Sequence, residues 1–132
     1  MTQIEMDARA ASSTGLQPPF AAALAYLAGP FSGIIVLLAE RTNLYVRFHA
    51  WQAILALGGL GLFAVTLLLS AFLGLFLSPM VFKTLYVSSG IAAFVWLVVW
   101  ALCLVKAFGG SAWRLPLAGK VAARIASRPQ AN

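Results

Sequence analysis

Acidic residues are nearly missing from this chain: Glu5, Asp7 and Glu40 are its three carboxylates, against nine Lys and Arg, and only 9% of the residues are charged. Paired-carboxylate catalysis and carboxylate cages for cations are thereby excluded within one copy. Histidine and cysteine occur once each, as His49 and Cys103. That rules out a zinc site of the usual composition and any intramolecular disulfide. Cys103 sits inside an apolar run and reads as a small buried hydrophobe. Strand-like alternation and a glycine-rich phosphate loop are also missing. With no catalytic constellation left, the chain reads as a non-enzyme that needs no cofactor and no metal.

Apolar residues, by contrast, make up 62% of the sequence. A soluble domain carries about 45–50% apolar and about 25% charged residues. A chain of 132 residues cannot hide the excess in its own core, so the surplus must face lipid. The expectation is an all-α, polytopic integral membrane protein. Its net charge of +6 fits orientation in a bilayer and contact with anionic lipid headgroups better than nucleic-acid binding.

Taken in order, residues 1–18 read as a polar, mobile leader without the basic region and short apolar core of a secretory signal. Uncharged runs follow at about 20–39, 53–77 and 87–105. Each is long enough, at about 1.5 Å per residue, to cross a hydrocarbon core of roughly 30 Å. Three transmembrane helices are therefore expected within a membrane domain of residues 19–107, followed by a basic interfacial tail at 108–132. Pro30 cannot donate to the Tyr26 carbonyl and predicts a kink in the first span. Ala21, Ala25, Gly29 and Gly33 recur every four residues, as do Thr66, Ser70 and Gly74. Such small-residue stripes allow close helix packing, against a helix of the same chain or of another subunit. Residues 80–86, which include Lys83, read as a short interfacial connector.

Polar side chains gather in the junctions. The stretch Arg47 to Ala53 holds the only histidine, an arginine, an amide and two aromatics. At about 100° per residue, Leu44, Phe48, Trp51 and Leu55 share one helix face, while Tyr45, His49 and Gln52 share another. This predicts an amphipathic, interfacial start to helix two, with Asn43 as its cap. Glu40 is expected to be solvated or paired with Arg41 or Arg47. Arg47 and Arg114 read as contacts to lipid phosphates, and Tyr45, Phe48, Trp51 and Trp113 as interface anchors. Lys106 ends the last span with a reach long enough to snorkel. Pro116 opens a tail helix in which Leu117, Val121 and Ile125 flank Lys120, Arg124 and Arg128. His49 reads first as a structural residue bonded to the loop, to Glu40 or to a backbone carbonyl. The alternative is a ligand, headgroup or pH-sensing role. With three spans, counting Lys and Arg puts the N-terminus outside and the C-terminus in the cytoplasm of a prokaryotic cell (inner) membrane. The His49 stretch and the Trp113-Arg114 turn then share the cytosolic interface.

The run Tyr45-Val46-Arg47-Phe48-His49-Ala50-Trp51-Gln52-Ala53, joined to Lys106-Ala107, Gly110, Trp113 and Pro116, resembles small bacterial and archaeal membrane proteins of unknown function. Those proteins are grouped with the Tic-twenty-like proteins, relatives of the chloroplast inner-envelope import component. The likeness covers roughly residues 18–119. It implies an all-helical membrane protein and, for the plastid branch, a subunit of a protein-import channel. Against that branch, this chain offers three spans where four are expected, and no transit peptide.

The function expected from these features is a non-enzymatic membrane subunit or scaffold within a larger membrane complex. Its partners would be the bilayer, anionic headgroups and other membrane subunits or a second copy, with no nucleic acid. The alternative is a small oligomeric channel or transporter, including one linked to protein translocation.

Overall fold

A computed structural model describes residues 2–128. Seven α-helices are present among them and no β-strand: α1 (Gln3–Asp7), α2 (Pro18–Leu27), α3 (Pro30–Ala39), α4 (Leu44–Gln52), α5 (Gly58–Gly74), α6 (Pro79–Phe108) and α7 (Ala118–Ala126). A π-helical turn, Ala53–Leu57, joins α4 to α5. Leu44–Gly74 therefore forms one apolar rod of 31 residues, matched by the 30 residues of α6. Either rod, at about 1.5 Å per residue, is long enough to cross a bilayer.

The first expected span is not a single helix. Gly29 adopts φ 62° and ψ −132°, a conformation that side chains with a Cβ rarely tolerate, and Pro30 then starts a new helix at the position where its missing N–H does no harm. The predicted kink is a complete break. Ser32 Oγ secures it by accepting from the Ala28 N–H at 2.9 Å and lying 3.0 Å from the Ala25 carbonyl oxygen. Beyond the break the chain turns back. Ser13 N–H donates to Glu40 at 3.2 Å, and the Arg41 N–H donates to Ser13 Oγ at 2.9 Å. α2 and α3 also pack against each other, which a straight helix over 20–39 would not allow. Residues 18–39 instead form a hairpin of two ten-residue helices, each about 15 Å long and too short to cross.

Three membrane-crossing helices are not borne out: the two long rods are the only described helices with the length to span. α1 packs on α4, and so does α7. Asn43 Nδ2 donates to the Asp7 carbonyl at 2.8 Å, and Asp7 Oδ2 accepts from the Leu44 N–H at 2.9 Å. The expected mobile leader is thus docked as a cap on α4, with Ile4 and Ala8 buried. Both ends of the described chain sit at one end of the rods, and the Leu75–Ser78 turn sits at the other.

The two ends of the molecule differ in thickness. At the end holding the termini, α2, α3, α4, α7 and the last turns of α6 enclose a core that includes Tyr26, Tyr45, Phe48, Leu57 and Cys103. Past Gly58, α5 packs chiefly on α6. Small residues make that contact: Ala64, Ala71 and Gly74 are buried, and Ser89 Oγ donates to the Ala64 carbonyl at 2.9 Å. A Cβ on Gly74 would lie 2.7 Å from Val81. Outward-facing Leu62, Phe63, Leu69, Phe94 and Phe76 remain exposed, as lipid-facing side chains do. The expected connector at 80–86 is instead the first two turns of α6, started by Pro79 and capped by Ser78, whose Oγ accepts from the Val81 N–H at 3.2 Å.

Candidate functional site

α4 places Tyr45, His49 and Gln52 on one face by helical spacing, and each side chain reaches the segment that follows α6. Tyr45 Oη donates to the Ala107 carbonyl at 2.8 Å. His49 Nε2 lies 3.1 Å from the Ser111 carbonyl oxygen. A carbonyl can only accept, so Nε2 carries the proton. Nδ1 is then the acceptor, and Tyr26 Oη donates to it at 2.9 Å. Tyr26 Oη in turn accepts from Gln52 Nε2 at 3.1 Å. The other face of the Gln52 amide pairs with the tail backbone: Nε2 donates to the Trp113 carbonyl at 3.2 Å, and Oε1 accepts from the Leu115 N–H at 3.2 Å. Every partner's polarity is complementary, and the imidazole is neutral by hydrogen-bond arithmetic. Tyr26, His49 and Gln52 are all buried.

This junction is a fastening device. It ties α2, α4, the end of α6 and the tail together through side chains whose polar atoms face backbone groups or one another. In lipid an unmatched buried polar group is costly, so a closed network of this kind favours one arrangement of the helices. Two tryptophans extend it. Trp100 Nε1 donates at 2.7 Å to the Tyr26 carbonyl, the group that Pro30 leaves without its helical partner. Trp96 Nε1 donates at 2.9 Å to the Leu57 carbonyl in the π turn. At both places an indole N–H bonds a main-chain carbonyl where the helix is interrupted or bulged.

Glu40 forms a second node. Buried at the end of α3, it accepts from the Thr42 and Asn43 N–H groups at 2.9 Å each, from Ser13, and from Ser12 Oγ. Burial alone pushes this carboxyl upward, but donation from Asn43, Ser12, Ser13 and Thr42 outweighs it and holds the pKa down to about 2. The expected solvation or pairing with Arg41 or Arg47 is replaced by hydroxyls from the leader, because the hairpin brings residues 12 and 13 back to its exit.

The remaining predicted residues divide clearly. Phe48 is fully buried and Arg47 nearly so, rather than at an interface. Trp51 is half-buried, with its indole nitrogen enclosed and lacking a hydrogen-bond partner. Trp113 is half-buried above Gln52, while Lys106, Arg114 and Pro116 are exposed. Ala21, Ala25, Gly29 and Gly33 are all buried, on both arms of the hairpin rather than along one helix. Gly33 touches most closely: a Cβ there would meet the Ala50 carbonyl oxygen at 3.0 Å and Ile54 at 3.1 Å. Of the second stripe only Gly74 is buried, whereas Thr66 is exposed and returns its hydroxyl to the Leu62 carbonyl at 2.8 Å, and Ser70 is half-buried. Among the described residues no group of three or more His, Cys, Asp or Glu is placed to hold a metal.

Tyr26, Trp100 and Ser111 are junction members that sequence patterning missed. Tyr26 looked like one more apolar-run aromatic, and Ser111 contributes only its backbone. The single available clue was Pro30, which marks the Tyr26 carbonyl as needing a donor.

The chain is similar to archaeal membrane proteins. A UPF0132 membrane protein of Archaeoglobus fulgidus is 33% identical over 102 residues, covering 77% of this chain and 88% of its own length. A UPF0132 membrane protein of Methanocaldococcus jannaschii is 33% identical over 111 residues, covering 84% of this chain and 90% of its own length. The chain belongs to the UPF0132 family of membrane proteins. A second Methanocaldococcus jannaschii member is 28% identical over 110 residues, covering 83% of this chain and 71% of its own length. No protein-family model matches the chain, and no solved structure matches it. Family membership supports a location in the membrane, and the function of the family is unknown.

Proposed function

We propose that this UPF0132 protein is a non-enzymatic membrane subunit or scaffold, with both described ends of the chain in the cytoplasm of a prokaryotic cell membrane. The observation that carries the reading is the junction itself: the polar atoms of Tyr26, His49 and Gln52 are engaged in holding helices together, which leaves none positioned for a substrate. Sidedness is supported by charge. Eight of the nine Lys and Arg lie toward the end holding the termini, and Lys83 alone lies toward the other, the asymmetry expected of a cytosolic face. The thin half, where α5 and α6 expose apolar side chains on several sides, is where further subunits or a second copy would pack. The likeness to Tic-twenty-like proteins supports membership of a larger assembly. Crosslinking before purification in mild detergent tests this: a chain recovered strictly as a monomer with no partner would defeat the subunit reading.

A channel or transporter is the second reading, favoured by the re-entrant hairpin, since broken helices at membrane depth line pathways in transport proteins. Reconstitution in liposomes decides it, with flux of ions or peptides above a protein-free control as the positive result.

A further inference from the structure

The two ends of the chain form a cleft that the polar junction does not use. α1 supplies one wall through Thr2, Gln3 and Ile4, and Arg114, Lys120 and Arg124 supply the other, around a space of about 630 Å³. We propose that this cleft binds the phosphate of an anionic lipid headgroup.

Three observations converge on an anion. First, Lys120 and Arg124 stand one helical turn apart on α7, a like-charge spacing that is unfavourable on its own. Lys120 also lies in the first turn, where the helix dipole disfavours a cation. Second, Arg114 is brought beside them by a close backbone contact. A Cβ on Gly119 would fall 2.8 Å from both Arg114 Cα and the Gln52 amide oxygen, so only glycine lets α7 approach this closely. Third, the cluster is not neutralised internally. No ion pair to a carboxylate is formed by these three side chains among the described residues. Glu5 is held below the usual carboxylate range first by the Thr2 backbone and hydroxyl and only last by Arg114, and Asp7 turns to Gln3 and Leu44. Three cations held together with no paired carboxylate among the described residues are stabilised by a bound anion, for which guanidinium and phosphate are well matched.

The neighbouring surface points to a lipid as the source. Leu117 sits at φ 63° and ψ −68°, and the Ala118 N–H donates to the Pro116 carbonyl at 2.8 Å. This is a strained γ-turn. It leaves the Leu117 side chain 82% exposed, with Val121 beside it at 45%. The opposite face of α7, Gly119, Ala122 and Ala126, is buried against the protein. An apolar ridge next to a basic cleft is the profile of a helix lying in the interface, where acyl chains and phosphates are adjacent.

Purified full-length chain in mild detergent, titrated with phosphatidylglycerol and followed by native mass spectrometry, tests the proposal. Wild type should retain one phosphatidylglycerol in preference to phosphatidylcholine. Arg114→Gln combined with Arg124→Gln should weaken retention about thirtyfold without lowering the unfolding temperature, since both side chains are exposed. Arg41→Gln combined with Lys106→Gln removes the same charge outside the cleft and should change retention less than about threefold. Equal weakening by the two pairs would reduce the cleft to general surface charge and overturn the proposal. Competition by inorganic phosphate as effective as that by the lipid would overturn the lipid assignment in favour of a soluble anion.

Discussion

Ser13 and Glu40 touch although 27 positions separate them, and that contact closes the hairpin of α2 and α3. The proposed topology puts both described ends of the chain on one side. In a Cys103→Ala background, Thr2→Cys and Arg128→Cys should be labelled by an impermeant thiol reagent from the same side of sealed vesicles, and Lys83→Cys from the other. Labelling of residues 2 and 128 from opposite sides would restore an odd number of crossings.

His49 is a fastener, so its loss should appear in folding. His49→Ala leaves Tyr26 Oη and the Ser111 carbonyl without their partner and opens a cavity, with an expected loss of about 2–4 kcal/mol. Thermal unfolding of the detergent-solubilised variant measures it. Unchanged stability accompanied by a lost ligand or flux signal would turn His49 into a functional residue.

Gln52 is the amide that holds the tail. Gln52→Glu keeps the acceptor for Leu115 but removes the donor shared by Trp113 and Tyr26. Residues 113–126 should then exchange amide hydrogens faster, while α5 and α6 retain their protection. Uniform loss of protection across the chain would mean that Gln52 supports the whole fold and not the tail in particular.

Glu40 gives the protein an acid-sensitive joint. Its carboxyl is lowered from 4.5 to about 2 in the folded chain. A group depressed in this way contributes stability that is complete above the unfolded value and fades as pH falls through the folded one. Resistance to unfolding should therefore decline between about pH 4.5 and pH 2. In Glu40→Gln this part of the decline should vanish, and the protein should be less stable at pH 7 by about 2 kcal/mol. An unaltered acid profile in the variant would assign the decline to other groups.

Gly33 marks the tightest approach of the hairpin to the long rod. Gly33→Val should cost about 2 kcal/mol or more through overpacking against the Ala50 carbonyl and Ile54, read as reduced yield and a lower unfolding temperature. Gly59→Ala is the matched control, because a Cβ there meets nothing within 4 Å.

Class, helicity and the shared face of Tyr45, His49 and Gln52 were legible in the sequence because composition and a 3.6-residue period are local properties. The approach of that face to the Trp113 segment was also foreseeable, since both carry the polarity of an interface. The hairpin was not. An uncharged run of twenty residues has the same composition whether it crosses or turns back, and the deciding contact comes from Ser12 and Ser13, two ordinary polar residues in a segment that looked unattached. Of the Thr66, Ser70 and Gly74 stripe, Gly74 alone is buried within the chain: small residues at a spacing of four mark where close packing is permitted, and within the chain Ala64, Ala71 and Gly74 follow the face that α6 presents.

The distance along the chain between the partners of the polar junction also sets an order of events during synthesis. His49 must wait for Ser111, 62 residues later, a delay of about 3–12 s at roughly 5–20 residues per second. For that interval α4 holds an imidazole and an amide in or near lipid with no backbone to receive them. The segment that follows α6 is thus the one that closes the core, and a chain stopped short of Leu115 is left with its buried polar groups open.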